Sequence, residues 1–507
     1  MANRDSKMKL YFSDVFNCDR DDLERYGALN VSLVSDLPLF IDPFLLFHSK
    51  KPEYQKIHAE MIEYVAFLRE RACEGPIPEP LLKLWYTFPE VKQNWLGWSI
   101  EGNNGRGLGL KFARSLHKNL NAVFANFGNE QVEVNAHIEK VCLINSGVGR
   151  DNISDFTTNL AKKYLLEYTE TFTKQHIGRS LRGRFAIKKV VFNYHTRAWE
   201  SRTFTLPKHG GDYVLLTPED ILTKDVIWIN RDALLHNYEH IVESIPNDQL
   251  RAQIDSYFQS ALRKRKKEDE EPTAKETRGA IAKVLARFPE IFDYFIAERE
   301  KHGNRAVKNS LVKVEKTKGL FIEQVKALVE LLQNNSFYKI EGDSYEAAFQ
   351  RVQFLKQAIE HNDGYRFFWI KGEPIERERD LQLIYRLTWF GTRFSVDSEV
   401  NNGRGPVDYK ISDGAKDSSL VEFKLASNTK LRENLENQVK IYEKANRTKK
   451  SVKVIIYFSA SQRDRVRGIL KEAKLEEDKT IVLIDARKDN KISASKVKNK
   501  RRPSARP

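Results

Sequence analysis

The sequence predicts a mixed α/β protein with two or three domains, and three observations lead to this prediction. The chain has 507 residues, more than one ordinary hydrophobic core accommodates. Its composition is that of a globular protein, with 41% hydrophobic and 11% aromatic residues. Segments with helical periodicity alternate with segments rich in β-branched and aromatic residues, which indicates helices and strands in the same domains.

Composition also excludes several classes of protein. No apolar run is long enough to span a bilayer, and the first residues lack the apolar core of a secretion signal. The three cysteines, Cys18, Cys73 and Cys142, lie far apart, which argues against a disulfide framework and against a cysteine-based zinc site. We therefore expect a cytoplasmic protein with no membrane partner.

The balance of charges favours a polyanionic partner. The formal net charge is +15, and nucleic acid is the first polyanion to consider. A disordered basic tail together with solvated helix faces is the alternative explanation. Residues 489–507 are rich in Lys, Arg, Ser and Pro, fit such a tail, and would attract nucleic acid without specificity.

Residues 1–245 are predicted to form an α/β domain of unknown role. Helices are expected at Tyr54–Arg71 and Asp155–Thr173, and strands at Phe185–Tyr194 and Ser201–Leu206. At Thr217, a threonine followed by proline and two acids predicts the start of a helix.

Two glycine-rich segments lie in this domain. Gly102–Gly109 precedes a predicted helix at Leu110–Ala125, but its spacing matches neither a phosphate-binding loop nor a dinucleotide fingerprint. Gly147–Asp155 carries a serine and acids that suit a helix cap. A loop and a cap are the simpler interpretations, while a second activity or a ligand sensor in residues 1–245 stays an alternative.

Residues 246–370 are expected to be mainly helical. Adjacent blocks of opposite charge, Arg263–Lys267 and Glu268–Glu271, indicate an exposed segment. Helical stripes follow at Leu320–Leu332 and Tyr345–Ile359. A connector and a dimerisation module are both compatible with this pattern.

Residues 371–488 predict a further domain in the order α-β-β-β-α-β-α-β, with helices around a mixed sheet. Its Val452–Phe458 segment is almost continuously apolar, so it should be an interior strand covered on both faces. The other expected elements are a helix from Pro374 to Gly391, strands at Arg393–Val400, Pro406–Ser412, Ser419–Leu425 and Thr480–Asp485, and helices at Leu431–Ala445 and Gln462–Ala473.

The densest chemistry lies on two neighbouring strands of this domain. Because side chains alternate along a strand, Glu422 and Lys424 should point to one face while their neighbours face a core. Asp408 ends the preceding strand. Carboxylates suit Mg²⁺ or Mn²⁺, so Asp408 and Glu422 are the candidate metal ligands, and Lys424 would orient or deprotonate a water.

Gln438 and Tyr442 lie four residues apart and should share one face of the following helix, either at this site or at the core edge. A Glu-x-Lys pattern alone is weak, because it also occurs at Glu90–Lys92, Glu472–Lys474 and Glu477–Lys479. Only Glu422–Lys424 follows a strand that ends in an acid and precedes a suitable helix.

Three motifs together resemble the PD-(D/E)xK nuclease superfamily, in its RecB-like and Cas4-like branch. They are Gly-Arg-Gly-Pro-Val-Asp408, Glu422-Phe-Lys424 and Gln438-x3-Tyr442. The resemblance implies a restriction-endonuclease-like three-layer fold for residues 371–488 and hydrolysis of phosphodiester bonds with Mg²⁺ or Mn²⁺. It also implies a glutamate on the first helix, for which Glu378 is the candidate and Glu376 the alternative. Arg404 and Lys430 are the candidate nucleic-acid-binding residues.

We therefore expect a nuclease that acts on DNA in preference to RNA, with its upstream region as the regulator. By analogy, such proteins resemble bacterial anti-phage defence effectors. A non-catalytic nucleic-acid-binding or scaffold protein with a nuclease-like fold is the alternative. A homodimer would suit the cutting of two strands, and a protein trigger would suit the large upstream region.

Overall fold

The computed structural model describes most of the chain between residues 9 and 490. The residues outside the description are 1–8, 35, 98–107, 123–134, 144–149, 225, 264–271, 325–341, 362–364, 366–367, 371–372, 376–377, 388, 390–391, 393, 402–405, 415–416, 436–449 and 491–507. The chain divides into two compact units, an N-terminal unit of Lys9–Thr317 and a C-terminal unit that contains the residues from Lys318 onward.

Helices make up most of the N-terminal unit. Several begin at side-chain caps, such as Asp19, Asp42 and Asn230, whose oxygens accept from backbone N–H groups of the first turn. The described helices are α1 (Phe12–Phe16), α2 (Arg20–Tyr26), α3 (Pro43–His48), α4 (Pro52–Cys73), α5 (Glu79–Tyr86), α6 (Leu110–Ala122), α7 (Lys140–Leu143), α8 (Arg150–Leu160), α9 (Lys162–His176), α10 (Arg231–His236), α11 (Tyr238–Glu243), α12 (Asp248–Arg263), α13 (Ala274–Arg287), α14 (Glu290–Lys301) and α15 (Gly303–Lys318).

A long hairpin packs against helix α9 in the same unit. Strands β2 (Arg182–Asn193) and β3 (Ala198–His209) pair antiparallel, and their register shifts between Ile187 and Val191, next to Lys189 with its positive φ of 54°. Short strands complete the set: β1 (Phe40–Ile41) pairs with β5 (Leu222–Thr223), and β4 (Asp212–Tyr213) pairs with β3.

The C-terminal unit is built on a mixed five-stranded sheet in the order β12-β11-β10-β9-β8. Neighbours β8, β9 and β10 pair antiparallel, whereas β10, β11 and β12 pair in parallel. Its strands are β8 (Ser395–Asn401), β9 (Pro406–Asp413), β10 (Asp417–Leu425), β11 (Ser451–Tyr457) and β12 (Ile481–Asp485), besides the separate pair β6 (Trp369–Ile370) and β7 (Glu373–Pro374).

Helices cover both faces of this sheet. On one face, Phe423 of β10 packs against Tyr385, with ring centroids 4.8 Å apart. On the other face, Ile455 and Tyr457 of β11 pack with Val466 and Leu470. After a π-helical turn at Gly319–Gln324, the described helices are α16 (Ser344–His361), α17 (Glu378–Leu387), α18 (Leu431–Glu433) and α19 (Ala460–Glu472).

The structure confirms the mixed α/β class and the mixed sheet of the C-terminal part. Strand β11 lies in the sheet interior and is buried, as its apolar sequence predicts. In the described part of the chain, no helix combines the length and apolar character needed to cross a bilayer.

Four local predictions are wrong. The helix expected to begin at Pro374 begins at Glu378, because Glu373–Pro374 is strand β7 and pairs with β6. Ser154 and Asp155 lie inside α8 and do not cap it, and the Ser154 hydroxyl instead accepts from the backbone N–H of Ile41 at 3.0 Å.

The other two wrong predictions also concern helices of the N-terminal unit. The single helix expected at Asp155–Thr173 is two helices, α8 and α9, that meet at Ala161. The helix expected after Thr217 is only a three-residue 3₁₀ turn, Glu219–Ile221, and Thr217 does not cap it. Instead, the Thr217 carbonyl accepts from the backbone N–H of Leu29, so tertiary pairing overrides the capping signal.

Candidate active site

Strands β9 and β10 place two carboxylates side by side. The strands pair antiparallel, with Tyr409 opposite Val421. The Asp408 backbone N–H donates to Glu422 Oε2 at 3.2 Å, and the Phe423 backbone N–H donates to Asp408 Oδ2 at 2.6 Å. Each carboxylate thus accepts from a backbone N–H of the other strand, and these two hydrogen bonds hold the carboxylates side by side.

Lys424 lies between two carboxylates. Its Nζ is 2.8 Å from Glu422 Oε1 and 3.4 Å from Glu378 Oε2. Glu422 is 7% exposed and Lys424 is 8% exposed, whereas Val421 and Phe423, with side chains on the opposite face, are fully buried. Two charged side chains in such a strand are tolerated because they compensate each other.

Glu378 begins helix α17 and joins this site from outside the two strands. Its Oε1 accepts from the backbone N–H of Leu425 at 3.2 Å and from Asn428 Nδ2 at 2.8 Å. One carboxylate therefore holds the end of β10, the loop that follows it and the Lys424 ammonium. This arrangement brings Glu378, Asp408, Glu422 and Lys424 together.

The electrostatics of the site are those of crowded carboxylates around one cation. Burial and then the Glu422 carboxylate raise the pKa of Asp408, although Lys424 and the Phe423 N–H oppose the shift. Burial also raises the pKa of Glu422. Burial lowers the pKa of Lys424, but Asp408, Glu422 and Glu378 together raise it more, so its net pKa lies above the ordinary value. The ammonium is therefore protonated at neutral pH.

The donor set is compatible with a hard divalent cation. Among the described residues, no group of three His, Cys, Asp or Glu side chains is arranged to hold a metal ion. Mg²⁺ is typically held by one or two carboxylates with waters and substrate phosphates in its remaining positions, so Asp408 and Glu422 fit that mode. A cation beside them would also relieve the repulsion that raises their pKa values.

Three further residues support the site and were not predicted from the sequence. Gln382 hydrogen-bonds the Asp408 carboxylate. Asn428 donates to Glu378, and Arg465 of α19 donates to the carbonyl oxygens of Ala426 and, at 2.8 Å, of Asn428. Gln382 carried a signal, since it lies one helical turn after Glu378 on the same face. The contacts of Asn428 and Arg465 depend on tertiary packing.

Several predicted site residues lie outside the described part of the chain. They are Gln438, Tyr442, Arg404 and the alternative glutamate, Glu376. Lys430 is described: its side chain is exposed, and its backbone N–H donates to Asn428 Oδ1 at 2.9 Å. Lys430 therefore lies two residues from the loop asparagine that binds Glu378.

Two family models match the chain, and both are described as domains of unknown function. DUF8370 matches residues 17–230, and DUF8371 matches residues 344–460, a range that contains Glu378, Asp408, Glu422 and Lys424. No curated protein and no solved structure matches the chain.

Proposed function

We propose that the C-terminal unit is a metal-dependent nuclease that hydrolyses phosphodiester bonds, with DNA favoured over RNA as its substrate. The observation that carries the proposal is that Lys424 contacts both Glu422 and Glu378 while Asp408 lies beside Glu422. The mixed sheet with helices on both faces agrees with the restriction-endonuclease-like fold that the motifs imply. The net charge of +15 supports a nucleic-acid substrate.

In this proposal Asp408 and Glu422 hold Mg²⁺ or Mn²⁺, which when bound would polarise the scissile phosphate and acidify a bound water. Lys424 has a raised pKa, so it acts as a hydrogen-bond donor. It would orient the attacking water and stabilise the negative charge that develops on the phosphate oxygens. Its 2.8 Å contact with Glu422 places that donor beside the candidate metal ligand.

Three supporting residues would hold these catalytic groups in position. They are Glu378, Asn428 and Arg465. Glu378 contacts both Lys424 and the backbone of Leu425, so it couples helix α17 to the catalytic strand. Arg465 holds the carbonyl groups of the loop after β10. Such supporting contacts limit the motion of the reacting groups and so preserve the productive geometry.

We further propose that the residues upstream regulate this nuclease, in the manner of a bacterial anti-phage effector that responds to a trigger. The argument is one of chain organisation: DUF8370 matches a long stretch, residues 17–230, that contains none of the candidate catalytic residues. Regulation then requires the N-terminal unit to change the activity of the C-terminal unit.

Cleavage of plasmid, linear DNA and RNA by the purified full chain tests the nuclease proposal. We expect metal-dependent cleavage that is lost on addition of a chelator and in Asp408→Asn. Glu477→Gln is the matched control, because Glu477 belongs to another Glu-x-Lys sequence and is exposed. Cleavage that persists at the wild-type rate in Asp408→Asn would refute the assignment of this site.

Metal titration by calorimetry distinguishes the enzyme from a non-catalytic nucleic-acid-binding scaffold. The nuclease proposal predicts Mn²⁺ binding that Asp408→Asn weakens at least tenfold while the fold is retained. A scaffold would bind nucleic acid equally well in both proteins and show no metal binding at this site. Circular dichroism of the variant provides the control for folding.

A further inference from the structure

A second candidate site is a pocket in the N-terminal unit, among helices α4, α8 and α9 and the hairpin β2–β3. Its volume is about 180 Å³. Sites for whole drug-sized ligands measure about 300–1,000 Å³, so this pocket suits one small planar ring system, single or fused. Its lining residues are Glu60, Glu63, Tyr64, Leu160, Lys163, Val190, Val191, Phe192, Tyr194 and Trp199.

Aromatic rings form one wall of the pocket. The ring centroid of Trp199 lies 5.0 Å from that of Tyr64 and 5.3 Å from that of Phe192, which in turn lies 5.1 Å from that of Tyr194. The Tyr64 hydroxyl donates to the Trp85 carbonyl at 2.8 Å, which fixes its ring. Tyr194 is 39% exposed, so the wall has an aromatic surface that a planar ligand can cover.

Charges of both signs border this aromatic wall. Glu60 and Glu63 line the same pocket as Tyr194, and burial and then these two carboxylates raise the pKa of Tyr194. Glu60 lies 4.0 Å from Lys56. Within the described part of the chain, neither Glu63 nor Lys163 takes part in an ion pair. The pocket therefore offers hydrogen-bond acceptors on α4 and a separate donor on α9.

This combination excludes several kinds of ligand. A phosphate or carboxylate inside the pocket would be repelled by Glu60 and Glu63. A simple organic cation would pair with a carboxylate but would leave the Lys163 ammonium without an acceptor. A purely apolar group would desolvate all three charges without compensation. A neutral planar ring that has a donor edge and an acceptor edge satisfies the aromatic wall and both signs of charge.

We propose that this pocket binds a guanine base. The N1–H and N2–H groups of guanine form a donor edge for Glu63 or Glu60, and its O6 and N7 atoms form an acceptor edge for Lys163. The ring would stack on Tyr194 or Trp199, as unpaired bases do on aromatic side chains. The base belongs to a free nucleoside or nucleotide, or to an unpaired position in a strand. The inference is independent of the proposed nuclease activity.

Calorimetric titration of the full chain with guanosine and adenosine tests the proposal. We expect guanosine to bind about tenfold tighter than adenosine, because adenine lacks the N1–H donor. Glu63→Gln and Lys163→Met should each weaken guanosine binding about tenfold, whereas Glu53→Gln, an exposed change elsewhere on α4, should leave it unchanged. Guanosine 5′-monophosphate and an oligothymidylate with one deoxyguanosine then distinguish a free nucleotide from a strand.

Three results would overturn the proposal: no guanosine binding by the wild-type chain, equal binding of guanosine and adenosine, or unchanged binding in both variants. Binding of choline or arginine in place of guanosine would assign the pocket to an organic cation and would also overturn it. Because no outcome depends on phosphodiester cleavage, failure here is distinguishable from failure of the nuclease proposal.

Discussion

Replacement of Lys424 by methionine should destabilise the C-terminal sheet in a pH-dependent way. The substitution keeps the apolar part of the side chain but removes the ammonium that lies 2.8 Å from Glu422 and 3.4 Å from Glu378. Loss of one partner from a buried ion pair leaves an uncompensated charge and typically costs about 3–5 kcal/mol. The buried carboxylate can escape part of that cost by taking up a proton.

The free-energy cost of protonating the buried carboxylate sets an upper limit on the destabilisation. To protonate a glutamate of ordinary pKa costs about 4 kcal/mol at pH 7 and about 1 kcal/mol at pH 5. We therefore expect Lys424→Met to lower the free energy of unfolding by up to about 4 kcal/mol at pH 7 and by about 1 kcal/mol at pH 5. The loss should shrink as the pH falls because the neutral carboxylate no longer needs the ammonium.

Hydrogen exchange in a urea series, measured by mass spectrometry on peptides that cover Asp417–Leu425, reports the stability of this region. The matched control is Lys479→Met, an exposed lysine of another Glu-x-Lys sequence. A loss below about 1 kcal/mol at pH 7, or an equal loss at both pH values, would refute the view that Lys424 compensates buried carboxylates.

Three further predictions concern supporting residues in both units. Asn428→Ala removes the 2.8 Å donor to Glu378 and should lower kcat of DNA cleavage about tenfold to a hundredfold with little change in KM. Burial, and then His137, lowers the pKa of His58 to about 3, so at this position the unfolded chain binds more protons than the folded chain below about pH 6.5. The His58 contribution should therefore lower stability by about 2 kcal/mol from pH 7 to pH 5, and urea unfolding of His58→Gln should lack that contribution. Arg299→Met loses two hydrogen bonds to the Trp228 carbonyl, at 3.0 and 2.7 Å, and the cation–π contact of the guanidinium with the indole, at 4.1 Å. Thermal unfolding should show that the free energy of unfolding falls by about 1–3 kcal/mol, and an unchanged melting temperature would contradict this prediction.

Regular elements with a strong local pattern could be predicted from the sequence. The helix expected at Tyr54–Arg71 is α4, and the alternation after Ser419 correctly separates Glu422 and Lys424 from the buried Phe423. The spacing of apolar residues and the burial of their face dictate such elements. A shift of the strand by one residue would bury charged side chains and expose apolar ones.

Features that depend on distant contacts could not be predicted. The break at Ala161 has no glycine or proline to signal it; there Lys162 is buried and its Nζ donates to the Lys188 carbonyl at 2.9 Å. The partners of Glu378 lie more than forty residues further along the chain, and the contact of Arg465 with its loop depends on the packing of α19 against β11. The pocket around Trp199 likewise draws residues from three separate parts of the sequence.

The rate of Mg²⁺-dependent DNA cleavage by Lys424→Ala, relative to Lys479→Ala, tests the central claim most directly. Both variants remove a lysine from a Glu-x-Lys sequence, but only Lys424 contacts Glu422 and Glu378. We predict a loss of about a hundredfold or more for Lys424→Ala and a wild-type rate for Lys479→Ala. Equal cleavage by the two variants would contradict the assignment of Lys424 to a nuclease active site.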